Sequence, residues 1–260
     1  MSEARARKRA HQALLAANPF CIYCGSPADT IDHMPPSIIF WGKQRPGGLE
    51  FSSCKACNSG TRFSEMAVAM LSRAAPDPTV ESHRSELKRL LASVSTNIPG
   101  LLQEMEIGKV GQKLAKRDMG IPDGAGVLRT NGPILTKHMR IFGAKFGFAM
   151  HFEANGWRVP DSGGVQSIWF SNAQALRKEI PASLLEFLPG PPRTLKQGRK
   201  EVSDQFNFQW ALTQEGDHAL FYGVFRQSFA VASTSAIDRA SFLDKYADKF
   251  PVFAPGDLRA

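Results

Sequence analysis

Three stretches, Cys21-Ile22-Tyr23-Cys24, Ile31-Asp32-His33-Met34-Pro35-Pro36 and Cys54-Lys55-Ala56-Cys57-Asn58, decide how this chain is read. The two C-x2-C knuckles lie 29 residues apart and hold all four cysteines of the 260-residue sequence. Four thiolates paired in this way make a closed tetrahedral zinc site, and a segment with little apolar area gains most from the folding free energy of a structural zinc. Such a site has no open coordination position, so the ion holds a scaffold and any chemistry lies beside it. Reduced core cysteines or a redox pair are the alternatives, but a thioredoxin-like C-x-x-C wants a βαβ setting that the flanking sequence does not offer.

Outward from the knuckles, residues 2 to 17 predict a helix, with Ser2 as its cap and Asn18-Pro19 as its stop. Between Phe20 and Phe51 the apolar bursts Thr30 to Asp32 and Ser37 to Trp41 are separated by Gly25-Ser26-Pro27, Pro35-Pro36 and Pro46-Gly47-Gly48. They read as short strands between turns. Phe63, Met66, Ala67, Met70 and Leu71 recur at helical spacing from Arg62 to Arg73, so residues 1–75 form a unit of hairpin then helix.

Pro76-Asp77-Pro78 interrupts the chain, and residues 76–260 open with helical patterns over Glu81 to Ser95 and Leu101 to Lys116. Gly120 to Gly132 reads as a linker, and Ile134 to Phe152 as one long apolar helix despite Gly143 and Gly147. Ser171-Asn172-Ala173-Gln174 fits a capping box, and Pro189-Gly190-Pro191-Pro192 a rigid break. Phe206, Phe208 and Trp210 then alternate as a strand, Glu215-Gly216-Asp217 turns, and Leu220 to Ala232 supplies one or two partner strands.

At 43% hydrophobic and 22% charged, the composition excludes wholesale disorder, collagen-like repeats and a disulfide-dense miniprotein. With 32 Lys+Arg against 24 Asp+Glu the net charge is +8, which favours polyanionic partners. No stretch approaches the roughly 18 to 20 apolar residues of a membrane span. The basic start Arg5, Arg7, Lys8, Arg9 leads only into Ala13 to Ala17, shorter than the roughly 7 to 15 apolar residues of a signal peptide. The expected compartment is therefore a reducing cytoplasm, where cysteines serve as metal ligands or thiols.

The order of the motifs is more specific than any of them alone. A first C-x2-C, then Asp32-His33 with Pro36 three places beyond the His, then C-x2-C-Asn58 running into a helix, resembles the zinc-stabilised branch of the HNH endonuclease family over residues 20 to 75. The resemblance implies an N-terminal zinc-bound ββα-metal module; with the helical and strand patterns read beyond it, the chain is expected to be α+β, that module followed by a helical and antiparallel-sheet region. It implies that Cys21, Cys24, Cys54 and Cys57 hold structural Zn²⁺, and that His33 is a general base acting on water, a role that suits an imidazole. It implies that Asp32 and Asn58 hold one catalytic Mg²⁺ or Mn²⁺, hard oxygen donors for a hard ion that polarises the scissile phosphate. Asp32 and His33, adjacent on an extended segment, point to opposite faces and so do different jobs. The activity implied is phosphodiester hydrolysis, on DNA ahead of RNA, leaving a 5′-phosphate and a 3′-hydroxyl.

The sequence departs from the family pattern at two places. The offset of the middle Asn, which orients the base, is occupied by Leu49 with Glu50 beside it, and the usual Lys of the following helix is absent. The alternative is thus a non-catalytic, zinc-stabilised module that binds nucleic acid or a protein. Lys43, Arg45, Lys55 and Arg62 are the candidate phosphate contacts. Residues 1 to 73 hold nine Lys+Arg against five Asp+Glu, half of the excess charge, although a solvated face explains Arg5 to Arg9 equally well. Glu65 reads as solvated rather than as an outer partner of the site. His11, His83, His138, His151 and His218 read as structural or exposed, and the Phe206, Phe208, Trp210 stripe as core rather than a base-stacking platform. Residues 76–260 carry no readable motif and are left as a substrate- or partner-binding region.

Overall fold

A computed structural model describes residues 3–74, 77, 79–121, 126–242 and 250–259. The Ser2 cap, Pro76 and Pro78 of the expected break, the unit boundary at 75/76 and part of the 120–132 linker lie outside the described residues. The first helix, α1 (Glu3–Ala17), leads into a hairpin of β1 (Thr30–His33) and β2 (Glu50–Ser53), then α2 (Lys55–Gly60) and α3 (Arg62–Ser72). Next come α4 (Glu81–Asn97), α5 (Leu101–Met105), α6 (Lys109–Met119) and the long α7 (Pro133–Asn155). The remainder is β3 (Gly164–Ser171), α8 (Asn172–Leu176), α9 (Ala182–Glu186), β4 (Lys196–Gln197), β5 (Lys200–Glu201), β6 (Asn207–Leu212), β7 (His218–Phe225), β8 (Phe229–Ala236) and β9 (Val252–Phe253). The chain is α+β, with helices packed on an antiparallel five-stranded sheet of order β6-β7-β8-β3-β9.

Helix α7 is the spine of this arrangement. One side lies against the sheet, where Gly143 and Gly147 allow close approach: a Cβ at Gly143 would fall 2.6 Å from Ser167 Oγ, and one at Gly147 2.5 Å from Val165 Cγ1. The two glycines that weaken the helical reading of the sequence are thus the price of helix–sheet contact. Another side of α7 faces α3. Buried residues run without a break from Cys21, Tyr23 and Phe51 of the hairpin region through Met70 of α3 to Phe142, Phe146 and Phe221.

Two expectations are corrected. Ser37 to Trp41 is no strand; it forms 3₁₀ turns, Ser37–Ile39 and Trp41–Lys43, because β1 already has β2 as its partner and the run buries Ile39, Phe40 and Trp41 instead. Leu101 to Lys116 is not one helix. It breaks after Met105, and Glu104 accepts hydrogen bonds from the Ile134 and Leu135 amides (2.8 Å each), capping the open N-terminal end of α7. The capping box at Ser171 is present as expected, with Gln174 reciprocating. Phe206 and Phe208 are buried in the core, not arrayed for stacking.

Candidate functional site

The site is assembled by the cysteine clip. Cys21 and Cys24 precede β1, and Cys54 and Cys57 straddle the start of α2, so a metal held among them would fasten the hairpin to the helix that follows. Their four sulfurs all lie within 4.8 Å of one another, with Cys24 and Cys54 at 3.6 Å. A tetrahedron of Zn–S bonds about 2.3 Å long has edges of about 3.8 Å, so the set can hold a metal such as zinc. The thiols already share protons unequally: a hydrogen bond from Cys57 draws Cys21 down to about 4 against the effect of burial, and the same contact pushes Cys57 up. Burial pushes Cys24 up, but Arg259 and Ser26 beside it bring its pKa below the ordinary thiol value. Arg259 reaches this corner by donating to Ser26 Oγ at 2.5 Å, while the Gly256 amide donates to the Tyr23 carbonyl at 2.9 Å.

On β1, Thr30 and Ile31 are β-branched and favour the extended chain, whose alternation sends Asp32 inward and His33 outward. The Asp32 residue is 4% exposed, whereas the His33 side chain is 33% exposed. Hairpin register sets His33 opposite Glu50. Glu50 Oε1 lies 3.7 Å from His33 Nδ1, too far for a hydrogen bond, and is held by the Arg45 guanidinium. Among the described residues His33 Nδ1 is buried and finds no hydrogen-bond partner. Burial, seconded by the Arg45 charge, lowers the His33 pKa below its ordinary value, and Glu50 opposes this. The imidazole is therefore neutral at pH 7 and free to accept a proton. The His11 ring of α1 lies 6.4 Å from that of His33, centroid to centroid, so a histidine assigned no role from sequence stands next to the site.

Asp32 meets a different environment. Its Oδ2 accepts the Tyr23 hydroxyl at 2.6 Å and pairs with the Lys145 ammonium at 2.9 Å. Lys145 Nζ also donates to Glu65 Oε1 at 2.6 Å, and Thr61 Oγ1 donates to the same oxygen at 2.9 Å. Burial alone would push the Lys145 ammonium down, but the two carboxylates outweigh it and hold its pKa above the ordinary value. Glu65 is thus no solvated residue, contrary to the sequence expectation; it is one wall of a buried ion triad. Asn58 donates its amide nitrogen to the Ile31 carbonyl and to Thr30 Oγ1, both at 3.3 Å, tying α2 to β1.

These contacts bear on the expected divalent ion. One oxygen of the carboxylate that would bind it, Oδ2, is already engaged by an ammonium and a phenol, and Asp32 has almost no surface for the waters that Mg²⁺ keeps. The Oδ2 corner of Asp32 does not fit a hydrated Mg²⁺ or Mn²⁺, and on Asn58 the atom engaged by the hairpin is the amide nitrogen, not the oxygen that would bind a cation. The expected phosphate contacts divide. Lys43, Lys55 and Arg62 are exposed, Arg62 with its guanidinium 4.4 Å from the Phe63 ring. Arg45 is turned inward, donating to the Gly48 and Pro46 carbonyls as well as to Glu50, with its side chain 13% exposed.

Sequence reading misses Tyr23, Lys145 and Glu50. Lys145 leaves a signal: it is the sole charged residue between Arg140 and Glu153 in an otherwise apolar helix, and a buried ammonium demands an anionic partner. Comparisons of the chain with protein-family models, curated proteins and solved structures find no match. Among the described residues no helix is long and apolar enough to cross a membrane.

Proposed function

We propose that the chain is an endonuclease that hydrolyses phosphodiester bonds, on DNA ahead of RNA, with His33 as general base. One observation carries the reading: a part-exposed imidazole, its pKa lowered by burial and the Arg45 charge, sits on a hairpin beside four cysteines that can hold a metal. In the step proposed, His33 takes a proton from water as the water oxygen forms its bond to phosphorus. The P–O3′ bond breaks with its electron pair on O3′, which is then protonated from solvent. Positioned proton transfer of this kind contributes roughly 10² to 10⁴ in rate. Lys43, Lys55 and Arg62, exposed around the hairpin and α2, would neutralise the flanking phosphates.

A second reading, a zinc-stabilised module that binds nucleic acid or protein without cutting it, is favoured by the Lys145 triad, which engages Asp32 Oδ2 with an ammonium in place of a divalent ion. Plasmid nicking separates the two readings. Zinc-loaded protein would be assayed in buffer freed of divalent ions by chelating resin, then with Mg²⁺ or Mn²⁺ added, beside a gel-shift measurement. Nicking in either buffer supports the endonuclease. Retarded but intact DNA under every condition supports the binding module.

A further inference from the structure

The Asp32–Lys145–Glu65 triad spans the molecule. Asp32 comes from β1, Glu65 from α3 and Lys145 from the middle of α7, and the ammonium touches one carboxylate oxygen of each acid, at 2.9 and 2.6 Å. All three are withdrawn from water, the Lys145 side chain being 0%, Asp32 5% and Glu65 14% exposed. The Lys145 Nζ also stands 5.6 Å from the centroid of the Tyr23 ring, and Tyr23 lies between the two cysteines of the first knuckle. A small monovalent cation with three N–H donors here holds a place where two converging carboxylates would otherwise repel each other.

We propose that the Lys145 ammonium is a built-in replacement for a divalent cation: it fills the charge position between Asp32 and Glu65, and the protein binds no Mg²⁺ or Mn²⁺ there. The grounds are electrostatic and geometric. An incoming M²⁺ at Asp32 Oδ2, the oxygen that faces Glu65 across Lys145, would meet a fixed positive charge within hydrogen-bond distance of that oxygen. It would also have to displace the Tyr23 hydroxyl and shed its waters at a nearly closed surface. The corollary is that α7, outside the zinc-clipped unit, supplies the countercharge of that unit.

Mn²⁺ titration followed by electron paramagnetic resonance decides this separately from cleavage, using zinc-loaded full-length wild type, Asp32→Asn, Lys145→Met and the Lys145→Met/Asp32→Asn double variant. Wild type and Asp32→Asn are expected to titrate alike, with no Asp32-dependent ion. Removing the ammonium leaves two facing carboxylates, so Lys145→Met is expected to bind one Mn²⁺ at least tenfold more tightly than wild type, and the double variant to lose that gain. An ion bound by wild type and lost in Asp32→Asn overturns the proposal, as does a folded Lys145→Met protein that gains none. Should Lys145→Met fail to fold, the comparison of wild type with Asp32→Asn is sufficient by itself to uphold or overturn it.

Discussion

Two charged centres hold the hairpin of this protein, and they are built on opposite plans. The cysteine cluster draws its groups from two four-residue knuckles within 37 consecutive positions, Cys21 to Cys57. The Lys145 triad joins residues 80 and 113 positions apart in the sequence, deep in the interior. The first is a local device whose four sulfurs can hold a metal; the second forms only when α7 docks. Local spacing writes the first into the sequence, whereas the second appears only once tertiary packing has chosen which face of α7 meets α3.

The contrast is tested most severely at the cysteines. Structural zinc sites contribute about 10 to 16 kcal/mol of apparent binding free energy that is also folding free energy. Cys57→Ser, or removal of the ion by a strong chelator, is expected to abolish the cooperative thermal transition of the hairpin region. Wild type is expected to release one zinc per chain when its thiols are modified. A chain that melts unchanged after losing its metal would show that the clip is not structural.

Next in size is Lys145→Met. Breaking a buried ion pair by removing one partner costs about 3 to 5 kcal/mol, because the carboxylates remain buried and unpaired. A loss of unfolding free energy of that order is expected in urea titration; a loss under about 1 kcal/mol would mean that Asp32 and Glu65 rehydrate freely.

A third effect, from the sheet side of α7, is set by pH. His151 is fully buried, with Nδ1 2.8 Å from Ser235 Oγ and the Trp157 ring edge-on at 4.5 Å, and burial lowers its pKa from 6.5 to about 4. The unfolded chain takes up a proton below pH 6.5 that the folded chain refuses until about pH 4. Stability is therefore intact above that window and falls through it, by about 3 kcal/mol in all. Urea unfolding at intervals from pH 7 to 4 measures this, and His151→Gln is expected to flatten the dependence. An undiminished slope in that variant would assign the acid lability to other groups.

The smallest effect concerns the site itself. Glu50 raises the His33 pKa against burial and Arg45, so Glu50→Gln is expected to lower the imidazole midpoint further, by a fraction of a unit, in an NMR titration. An unmoved midpoint would show that the Glu50 charge does not act on His33.

Legibility from sequence follows the same division. The knuckles, the β1 strand, α3, the long α7 and the capping box at Ser171 are all readable, because each depends on spacing within one or two turns of chain. The 3₁₀ turns at Ser37 to Lys43 pass for a strand because an apolar run after Pro35-Pro36 has no strand period of its own. The break after Met105 escapes because its reason, Glu104 capping α7, lies 30 residues away. The ion pair of Asp32 with Lys145 escapes because its partner is on a distant helix, and Glu65 looks solvated for the same cause. His11 has no signal at all; only the packing of α1 on the hairpin brings it to His33.

If the cysteine clip exists to present His33 to a phosphodiester, cutting must depend on that imidazole. The direct measurement is the initial rate of duplex cleavage, taken side by side for wild type and His33→Ala at equal zinc content and equal thermal stability. Cleavage by wild type and a loss of about a hundredfold or more in the variant are expected. Equal rates, or no cleavage by either protein, would contradict the role given to His33.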